Sequence, residues 1–210
     1  MPKIEPFEKF TAQYEDWFEK NKFVYESELQ AVKKLTPETG EGIEIGVGSG
    51  RFAGPLGIKI GIEPSPKMRL IAQERGIEAI HGVAEELPYE NNKFTFALMV
   101  TTICFLDDIR AAFQEVYRVL QPKGSFIVGF IDKTSAIGKL YQQHKQENVF
   151  YKIATFYSVE EVIFHLKEVG FKKFQFTQTI FHYLTEIREI EPIKDGYGEG
   201  SFVVVKTIKQ

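Results

Sequence analysis

A short apolar segment that runs directly into a glycine-rich turn constrains this chain more than any other feature of its sequence. Residues 43–47 read Ile-Glu-Ile-Gly-Val, and the chain continues as Gly48-Ser49-Gly50. Glycines allow positive φ angles and let a ligand approach the backbone closely, as they do after the first strand of ligand-binding α/β sheets. We therefore expect a strand here, with a ligand at its carboxyl end.

Short apolar segments alternate with segments of helical periodicity along the 210 residues of the chain. This alternation is typical of β-α-β units and of a mostly parallel sheet. Apolar residues make up 43% of the sequence, which is enough for one sizeable core, so a single α/β domain over residues 1–210 is expected. Strands are predicted at residues 42–47, 58–62, 77–81, 94–100, 125–131, 173–180 and 201–208.

Local signals predict several helix ends. Ser65 is an N-cap candidate followed by Pro66 at the first helical position. Ser158 and Glu161 have the spacing of a capping box, and Gly170 follows the last apolar residue of that helix. The crossover after Gly50 is so short that its helix should comprise only about one turn.

Two segments outside the alternating units are rich in aromatic residues. Residues 1–38 are predicted to form a helical cover with helices at 7–21 and 23–35. Residues 132–156 are too long for an ordinary connection, which indicates a partly helical insertion. Both segments are expected to cover a small-molecule pocket at the carboxyl ends of the strands, through Tyr14, Trp17, Phe23, Tyr25, Tyr141, His144, Phe150 and Tyr151.

The residues around the glycine turn indicate an adenosine-containing ligand. In the dinucleotide fingerprint G-x-G-x-x-G the third glycine allows close helix packing, but that position is Arg51 in this chain. The second predicted strand ends at Glu63, whose carboxylate could accept hydrogen bonds from both hydroxyls of a ribose. The two features together favour an adenosine ligand without a pyrophosphate.

Four motifs in the same order resemble those of the class I S-adenosylmethionine-dependent methyltransferases, and especially the small enzymes similar to ubiquinone/menaquinone-biosynthesis methyltransferases. They are Glu44-Ile45-Gly46-Val47-Gly48-Ser49-Gly50, Ile62-Glu63-Pro64-Ser65-Pro66-Lys67-Met68, Gly82-Val83-Ala84-Glu85-Glu86-Leu87-Pro88-Tyr89 and Val119-Leu120-Gln121-Pro122-Lys123-Gly124-Ser125. The resemblance implies a Rossmann-like, three-layer αβα sandwich with a seven-stranded sheet in the order 3-2-1-4-5-7-6, its last strand antiparallel. Val83 departs from the pattern, because it replaces an aspartate that would bind the adenine amino group.

The resemblance also implies S-adenosylmethionine as cofactor and a set of residues that bind it. The glycines would cradle its methionine part, Glu63 would bind the ribose, and Ala84 or Glu85 would bind the adenine. The complete set is Tyr14, Glu44, Gly46, Gly48, Gly50, Glu63, Pro64, Met68, Ala84, Glu85 and Thr101.

Few residues are candidates for a chemical role beyond binding. Thr101 follows the fourth predicted strand and faces the expected crevice, and His144 is the one histidine considered as a general base. Cys104 fits a small buried hydrophobic residue better than a nucleophile. The scattered histidines and the single cysteine predict no metal site.

Charge and composition exclude several functional classes. The chain has 26 basic and 29 acidic residues, and so lacks the basic surface of a nucleic-acid binder. No apolar segment is long enough for a membrane span, and the amino terminus lacks a secretory h-region. We expect a cytoplasmic protein, monomeric or homodimeric, whose partner is a small-molecule methyl acceptor.

The predicted function is direct in-line methyl transfer from S-adenosylmethionine to that acceptor. Such a reaction depends mainly on alignment, so no catalytic triad is required. Two alternatives remain at this stage: an NAD(P)-dependent oxidoreductase and a non-catalytic S-adenosylmethionine-binding protein.

Overall fold

One sheet organises the fold in the computed structural model, which describes residues 3–210. Within these residues the sheet has eight strands in the order β3-β2-β1-β4-β5-β8-β6-β7. Strands β1 to β5 pair in parallel, whereas β8 is antiparallel to both β5 and β6. The strands are β1 Gly42–Ile45, β2 Ile60–Ile62, β3 Glu78–Ile80, β4 Phe94–Val100, β5 Leu120–Ile131, β6 Lys172–Thr179, β7 Lys194–Asp195 and β8 Phe202–Ile208.

The strand order predicted by the resemblance is confirmed, with one addition at the edge of the sheet. The seven predicted strands occupy the order 3-2-1-4-5-7-6, and the two-residue strand β7 extends the sheet beside β6. Both residues of β7 are exposed, so no apolar alternation marks this strand in the sequence. The fifth strand begins at Leu120 rather than at residue 125, because Leu120 already pairs with Phe94. The register then shifts, so that Phe96 pairs with Ser125.

Helices cover both faces of the sheet and produce the three layers. They are α1 Glu5–Lys9, α2 Thr11–Lys20, α3 Lys22–Leu35, α4 Ala53–Leu56, α5 Pro66–Glu74, α6 Ile109–Val119, α7 Ala136–Gln143 and α8 Val159–Val169. On one face α6 and α8 bury Phe113, Val116 and Leu166 against the sheet. On the other face Ala31 and Val32 of α3 are fully buried in a second apolar cluster.

The predicted helix ends are confirmed. The Ser65 hydroxyl accepts a hydrogen bond from the Met68 amide at 3.3 Å. Ser158 and Glu161 form a reciprocal capping box, and Gly170 ends α8 with a φ of 109°. The crossover helix α4 has only four residues, as the short connection required.

The amino-terminal segment forms three helices where the sequence predicted two. The chain breaks at Phe10, whose φ of −121° and ψ of 32° separate α1 from α2. No glycine or proline marks this break, so the local sequence gave no signal for it. The insertion at residues 132–156 is partly helical as predicted, with α7 followed by two short 3-10 turns. Within residues 3–210, no helix has both the length and the apolar character needed to cross a membrane.

Candidate active site

The glycine turn after β1 adopts the backbone conformation that its sequence predicts. Gly46, Gly48 and Gly50 have φ values of 71°, 54° and 83°, which residues with a Cβ rarely adopt. A Cβ on Gly46 would collide with Thr102, and one on Gly48 would lie 3.3 Å from the Tyr14 hydroxyl. A Cβ on Gly50 would instead collide with Ile77, so this third glycine allows the turn to pack on the neighbouring elements.

Glu63 connects the end of β2 to the glycine turn. Its Oε2 accepts a hydrogen bond from the Gly48 amide at 2.9 Å, and its Oε1 accepts one from the Ser65 amide at 2.8 Å. The side chain is 7% exposed. Burial raises the pKa of this carboxyl to about 7, although both hydrogen bonds act in the opposite direction. Glu63 is therefore a buried acceptor at the crevice where α/β sheets bind their ligands.

A cleft of about 340 Å³ lies over this turn, and we call it the glycine-loop cleft. Nine of the residues predicted to bind the cofactor line this cleft: Tyr14, Gly46, Gly48, Glu63, Pro64, Met68, Ala84, Glu85 and Thr101. The cleft is also lined by residues that were not predicted site residues: Lys3, Ile4, Phe7, Phe105 and Asp107. The turn after β4 could have identified Phe105, since loops that follow parallel strands border such crevices.

Two of the predicted cofactor residues lie outside the lining of the cleft. Gly50 packs against Ile77 and Ala72. Glu44 is 2% exposed behind the turn, and its Oε2 has no hydrogen-bond partner among the described residues. Burial raises the pKa of Glu44 well above its ordinary value, and the nearby Glu63 carboxyl adds to this effect.

Glu85 lines the cleft, but its carboxylate also supports a neighbouring loop. Its Oε1 accepts hydrogen bonds from the amides of Asp107 at 2.9 Å and Asp108 at 3.2 Å. Val83, which departs from the family pattern, lines the same part of the cleft. The adenine-binding role predicted for Ala84 and Glu85 is thus compatible with their position.

Arg51, the residue that interrupts the dinucleotide fingerprint, fixes the helical cover to the glycine turn. Its guanidinium pairs with Glu15 at 2.7 Å and with Glu19 at 3.0 Å, both on α2. The Tyr25 hydroxyl donates a hydrogen bond to the Arg51 carbonyl. These contacts hold α2, and with it Tyr14, directly over Gly48.

A second cavity of about 360 Å³ adjoins the cleft, and we call it the aromatic cavity because most residues that line it are aromatic. Helix α2 contributes Trp17 and Phe18, and the insertion contributes Tyr141, Phe150 and Tyr151. Glu28 of α3 also lines this cavity. Glu28 was not among the predicted site residues, although it shares the spacing of the buried stripe of α3, formed by Val24, Ser27, Ala31 and Val32.

Four residues, which we call the shared wall, line both the glycine-loop cleft and the aromatic cavity: Phe7, Tyr14, Thr101 and Phe105. Thr101 has a φ of 51°, an uncommon value for a β-branched residue and one that is enriched at functional sites. Among the described residues its hydroxyl has no hydrogen-bond partner, whereas its amide donates to the Gly129 carbonyl at 2.8 Å. The position predicted for Thr101, near a reaction centre, is compatible with this geometry.

Three residues considered at the sequence level lie outside the lining of both cavities. His144 is exposed at the end of α7, where its Nδ1 lies 3.1 Å from Glu147 Oε2. This position does not support the prediction that His144 acts as a general base. Phe23 is 40% exposed, and Tyr25 packs on the glycine turn instead of the aromatic cavity.

Cys104 borders the aromatic cavity as a small hydrophobic residue. Its Sγ donates to the Thr101 carbonyl at 3.3 Å, and burial raises the pKa of the thiol to about 12. A thiol with so high a pKa is not an active nucleophile at neutral pH. Across residues 3–210, no group of histidine, cysteine or acidic side chains could hold a metal ion.

The chain is similar to proteins of the methyltransferase class. The family model described as a methyltransferase domain matches residues 43–128. A crystal structure from Thermotoga maritima, described as a SAM-dependent methyltransferase and possible histamine N-methyltransferase, is 51% identical with a TM-score of 0.97. It covers 99% of this chain and is itself covered completely.

Two curated relatives extend the similarity. An uncharacterized protein of Methanocaldococcus jannaschii is 44% identical over 203 residues, which is 97% of this chain and 98% of the relative. A demethylmenaquinone methyltransferase of Oceanobacillus iheyensis is 27% identical over 135 residues, which is 57% of this chain and 55% of the relative. The second relative resembles the subgroup that the motifs indicated.

Proposed function

Because the chain belongs to the S-adenosylmethionine-dependent methyltransferases, we propose that it methylates a small-molecule acceptor that binds in the aromatic cavity. The shared wall carries this proposal. A ligand in the glycine-loop cleft and a ligand in the aromatic cavity would meet at Phe7, Tyr14, Thr101 and Phe105. Two small molecules that must react with each other require such adjacent sites.

The residues of the glycine-loop cleft fit the cofactor. Gly46 and Gly48 expose the backbone of the turn to the cleft, and the buried carboxylate of Glu63 is a suitable acceptor for ribose hydroxyls. Ala84 and Glu85 line the part of the cleft where we propose that the adenine binds. Pro64 and Met68 also line the cleft and would contact the adenosine. Glu44 lies behind the turn, so in this proposal it supports the turn instead of lining the cleft.

Tyr14 separates the reaction site from solvent. Burial raises its pKa, and the nearby carboxylates of Glu63 and Glu15 add to this effect. The phenol is therefore neutral and packs by its ring edge against Phe7 and Phe18 at centroid distances of 5.8 and 5.2 Å. Exclusion of water by these rings favours a direct reaction between the two ligands.

Held by the glycine turn and Glu63, S-adenosylmethionine would supply a methyl group activated by its sulfonium, with the sulfur as leaving group. The chain aligns the two ligands across the shared wall, and alignment can contribute several kcal/mol of catalysis. The Thr101 hydroxyl is available to orient the acceptor atom. Among the described lining residues, no histidine is placed to act as a base.

The two alternative functions receive no support from the site. Arg51 is engaged in ion pairs with the cover instead of bordering a pyrophosphate site, which argues against a dinucleotide. The relatives and the two adjoining cavities favour a catalyst over a simple binding protein. The Thermotoga maritima relative is described as a possible histamine N-methyltransferase. Histamine and other nitrogen nucleophiles should therefore be included among the acceptors to be assayed.

The test is transfer of a labelled methyl group to a panel of small amines, phenols and thiols. Leu184→Trp would fill the aromatic cavity from a half-buried loop position, and Tyr183→Trp is the matched control, since Tyr183 is exposed beside it. We expect Leu184→Trp to abolish transfer without changing the affinity for S-adenosylhomocysteine. Unchanged turnover in Leu184→Trp would place the acceptor outside the aromatic cavity.

A further inference from the structure

Glu28 presents an unpaired carboxyl group to the aromatic cavity. The side chain is 5% exposed and lines this cavity but not the glycine-loop cleft. Within residues 3–210 it forms no hydrogen bond or ion pair, in contrast to Glu63. A buried carboxyl without a partner is costly to retain, so a ligand that supplies the partner would explain it.

The polar groups next to Glu28 are already engaged elsewhere. The Ser27 hydroxyl donates to the Phe23 carbonyl and accepts from the Glu191 amide at 2.8 Å. Thr177 of β6 donates to the Ala31 carbonyl at 3.1 Å. Glu28 is thus not a member of a hydrogen-bond network that fixes α3 on the sheet.

No cationic side chain compensates Glu28 from across the cavity. The described lining contains no lysine, arginine or histidine. Burial is the sole cause of the change in the pKa of Glu28, which rises to about 8. The other titratable groups of the lining have pKa values raised mainly by burial and are uncharged at neutral pH: Tyr14, Cys104, Tyr141, Tyr151 and Tyr157.

The rings around Glu28 complete a site for a positive charge. Tyr141 and Tyr151 lie with their centroids 4.5 Å apart, and Glu28 contributes to the raised pKa of each. The faces of aromatic rings attract ammonium groups, and a single acidic side chain among such rings is suited to an organic cation. An anionic acceptor would instead find no cationic partner in this cavity, and it would oppose ionisation of Glu28.

We propose that Glu28 binds a cationic nitrogen of the acceptor, so that the substrate of this methyltransferase is a small, largely apolar amine. This proposal rests on the proposed function and identifies the substrate class for the same cavity. Glu28 lies outside the glycine-loop cleft, so the atom that receives the methyl group lies at the shared wall while the cation binds at Glu28. The acceptor therefore carries a cationic group and a separate nucleophilic atom.

Binding of such a cation is coupled to loss of a proton. Glu28 with a pKa of about 8 is mainly protonated at pH 7 in the free protein. A neighbouring ammonium group favours the carboxylate, so the proton leaves Glu28 for the buffer as the amine binds. Roughly one proton should be released for each amine bound at pH 7.

The test is calorimetry of the full chain saturated with S-adenosylhomocysteine, in phosphate and in Tris at pH 7. Phenethylamine, 2-phenylethanol and 3-phenylpropionate serve as cationic, neutral and anionic probes of similar shape. We expect phenethylamine to bind at least about tenfold more tightly than either of the others. Its binding heat should differ between the two buffers by roughly one times the difference between the ionisation enthalpies of Tris and phosphate.

Glu28→Gln keeps the shape of the protonated side chain and removes its charge. It should lose both the preference for phenethylamine and the proton release, with unchanged affinity for S-adenosylhomocysteine. Glu26→Gln, on the same helix, is the matched control because Glu26 pairs with Lys22 outside the cavity.

Equal binding of the three probes, tighter binding of 3-phenylpropionate, absence of phenethylamine binding, or full retention of the preference in Glu28→Gln would overturn the proposal. Failure of S-adenosylhomocysteine to bind would instead contradict the proposed function. The two failures are therefore distinguishable in one set of titrations.

Discussion

Replacement of Glu28 by glutamine should make the protein more stable, and more so as the pH rises. The pKa of Glu28 is about 8 in the folded chain, compared with an ordinary value of 4.5. Between these values the folded chain binds more protons at this site than the unfolded chain, so Glu28 lowers stability progressively as the pH rises through this range. Its full effect is reached above pH 8.

The size of the effect follows from the difference between the two pKa values. At about 1.36 kcal/mol per pH unit, the rise from 4.5 to about 8 corresponds to an upper bound of roughly 5 kcal/mol. Glu28→Gln removes this ionisation. Glu44 and Glu63 are also buried carboxyls, but they titrate in both the wild type and Glu28→Gln. Their contributions therefore cancel from the difference in stability between the two proteins.

The assay is urea unfolding of the wild type, Glu28→Gln and Glu26→Gln at several pH values from 5.5 to 9. We expect the stability advantage of Glu28→Gln to grow by at least about 2 kcal/mol over this range. The control Glu26→Gln should stay within about 0.5 kcal/mol of the wild type throughout, because Glu26 forms only a surface pair. A constant difference between Glu28→Gln and the wild type would refute the reasoning.

Three further predictions concern the cleft and its cover. Glu63→Ala should weaken S-adenosylhomocysteine binding at least about tenfold by calorimetry, because a charged acceptor for two amides and the ribose is lost; an unchanged dissociation constant would place the ribose elsewhere. Deletion of residues 1–20 should leave a folded core by circular dichroism but abolish transfer, because Phe7 and Tyr14 of the shared wall are removed; normal turnover by the truncated chain would show that the cover is dispensable. Activity should survive exhaustive treatment with EDTA, and loss that magnesium restores would reveal a metal site.

The deletion ends at residue 20, before α3, because the second helix of the predicted cover packs in the core. Helix α3 begins at Lys22 and buries Val24 in the core. Deletion of residues 1–20 removes one buried core side chain, Phe18, whereas a longer deletion would also remove Val24 and the start of α3. Activity assays of a chain that lacks α3 could not separate the two effects.

The parts of the fold that depend on local signals could be predicted from the sequence. Ser65 and Ser158 cap helices where their side chains satisfy free amide groups, and these requirements lie within four residues. The glycine turn was equally clear, because the positive φ angles at Gly46 and Gly48 need glycine. These short-range requirements located the strand, the turn and Glu63 together.

The remaining features depend on contacts between distant segments. The break at Phe10 lets Glu8 accept a hydrogen bond from the Lys67 amide at 2.9 Å, nearly sixty residues away. Glu28 is an ordinary helical residue in sequence, and only the packing of α3 beside the insertion makes it part of the aromatic cavity. Similarly, Arg51 departs from a sequence fingerprint, and only the fold shows that it pairs with Glu15.

The most direct test of the central claim is a calorimetric titration of the full chain with S-adenosylhomocysteine and, separately, with NAD. The geometry of the glycine turn and Glu63 predicts one S-adenosylhomocysteine per chain and no measurable heat from NAD. Gly48→Val should lose the binding while it still unfolds cooperatively, because the new side chain would extend toward Tyr14. Binding of NAD without any response to S-adenosylhomocysteine would contradict the assignment of the cleft to the methyl donor.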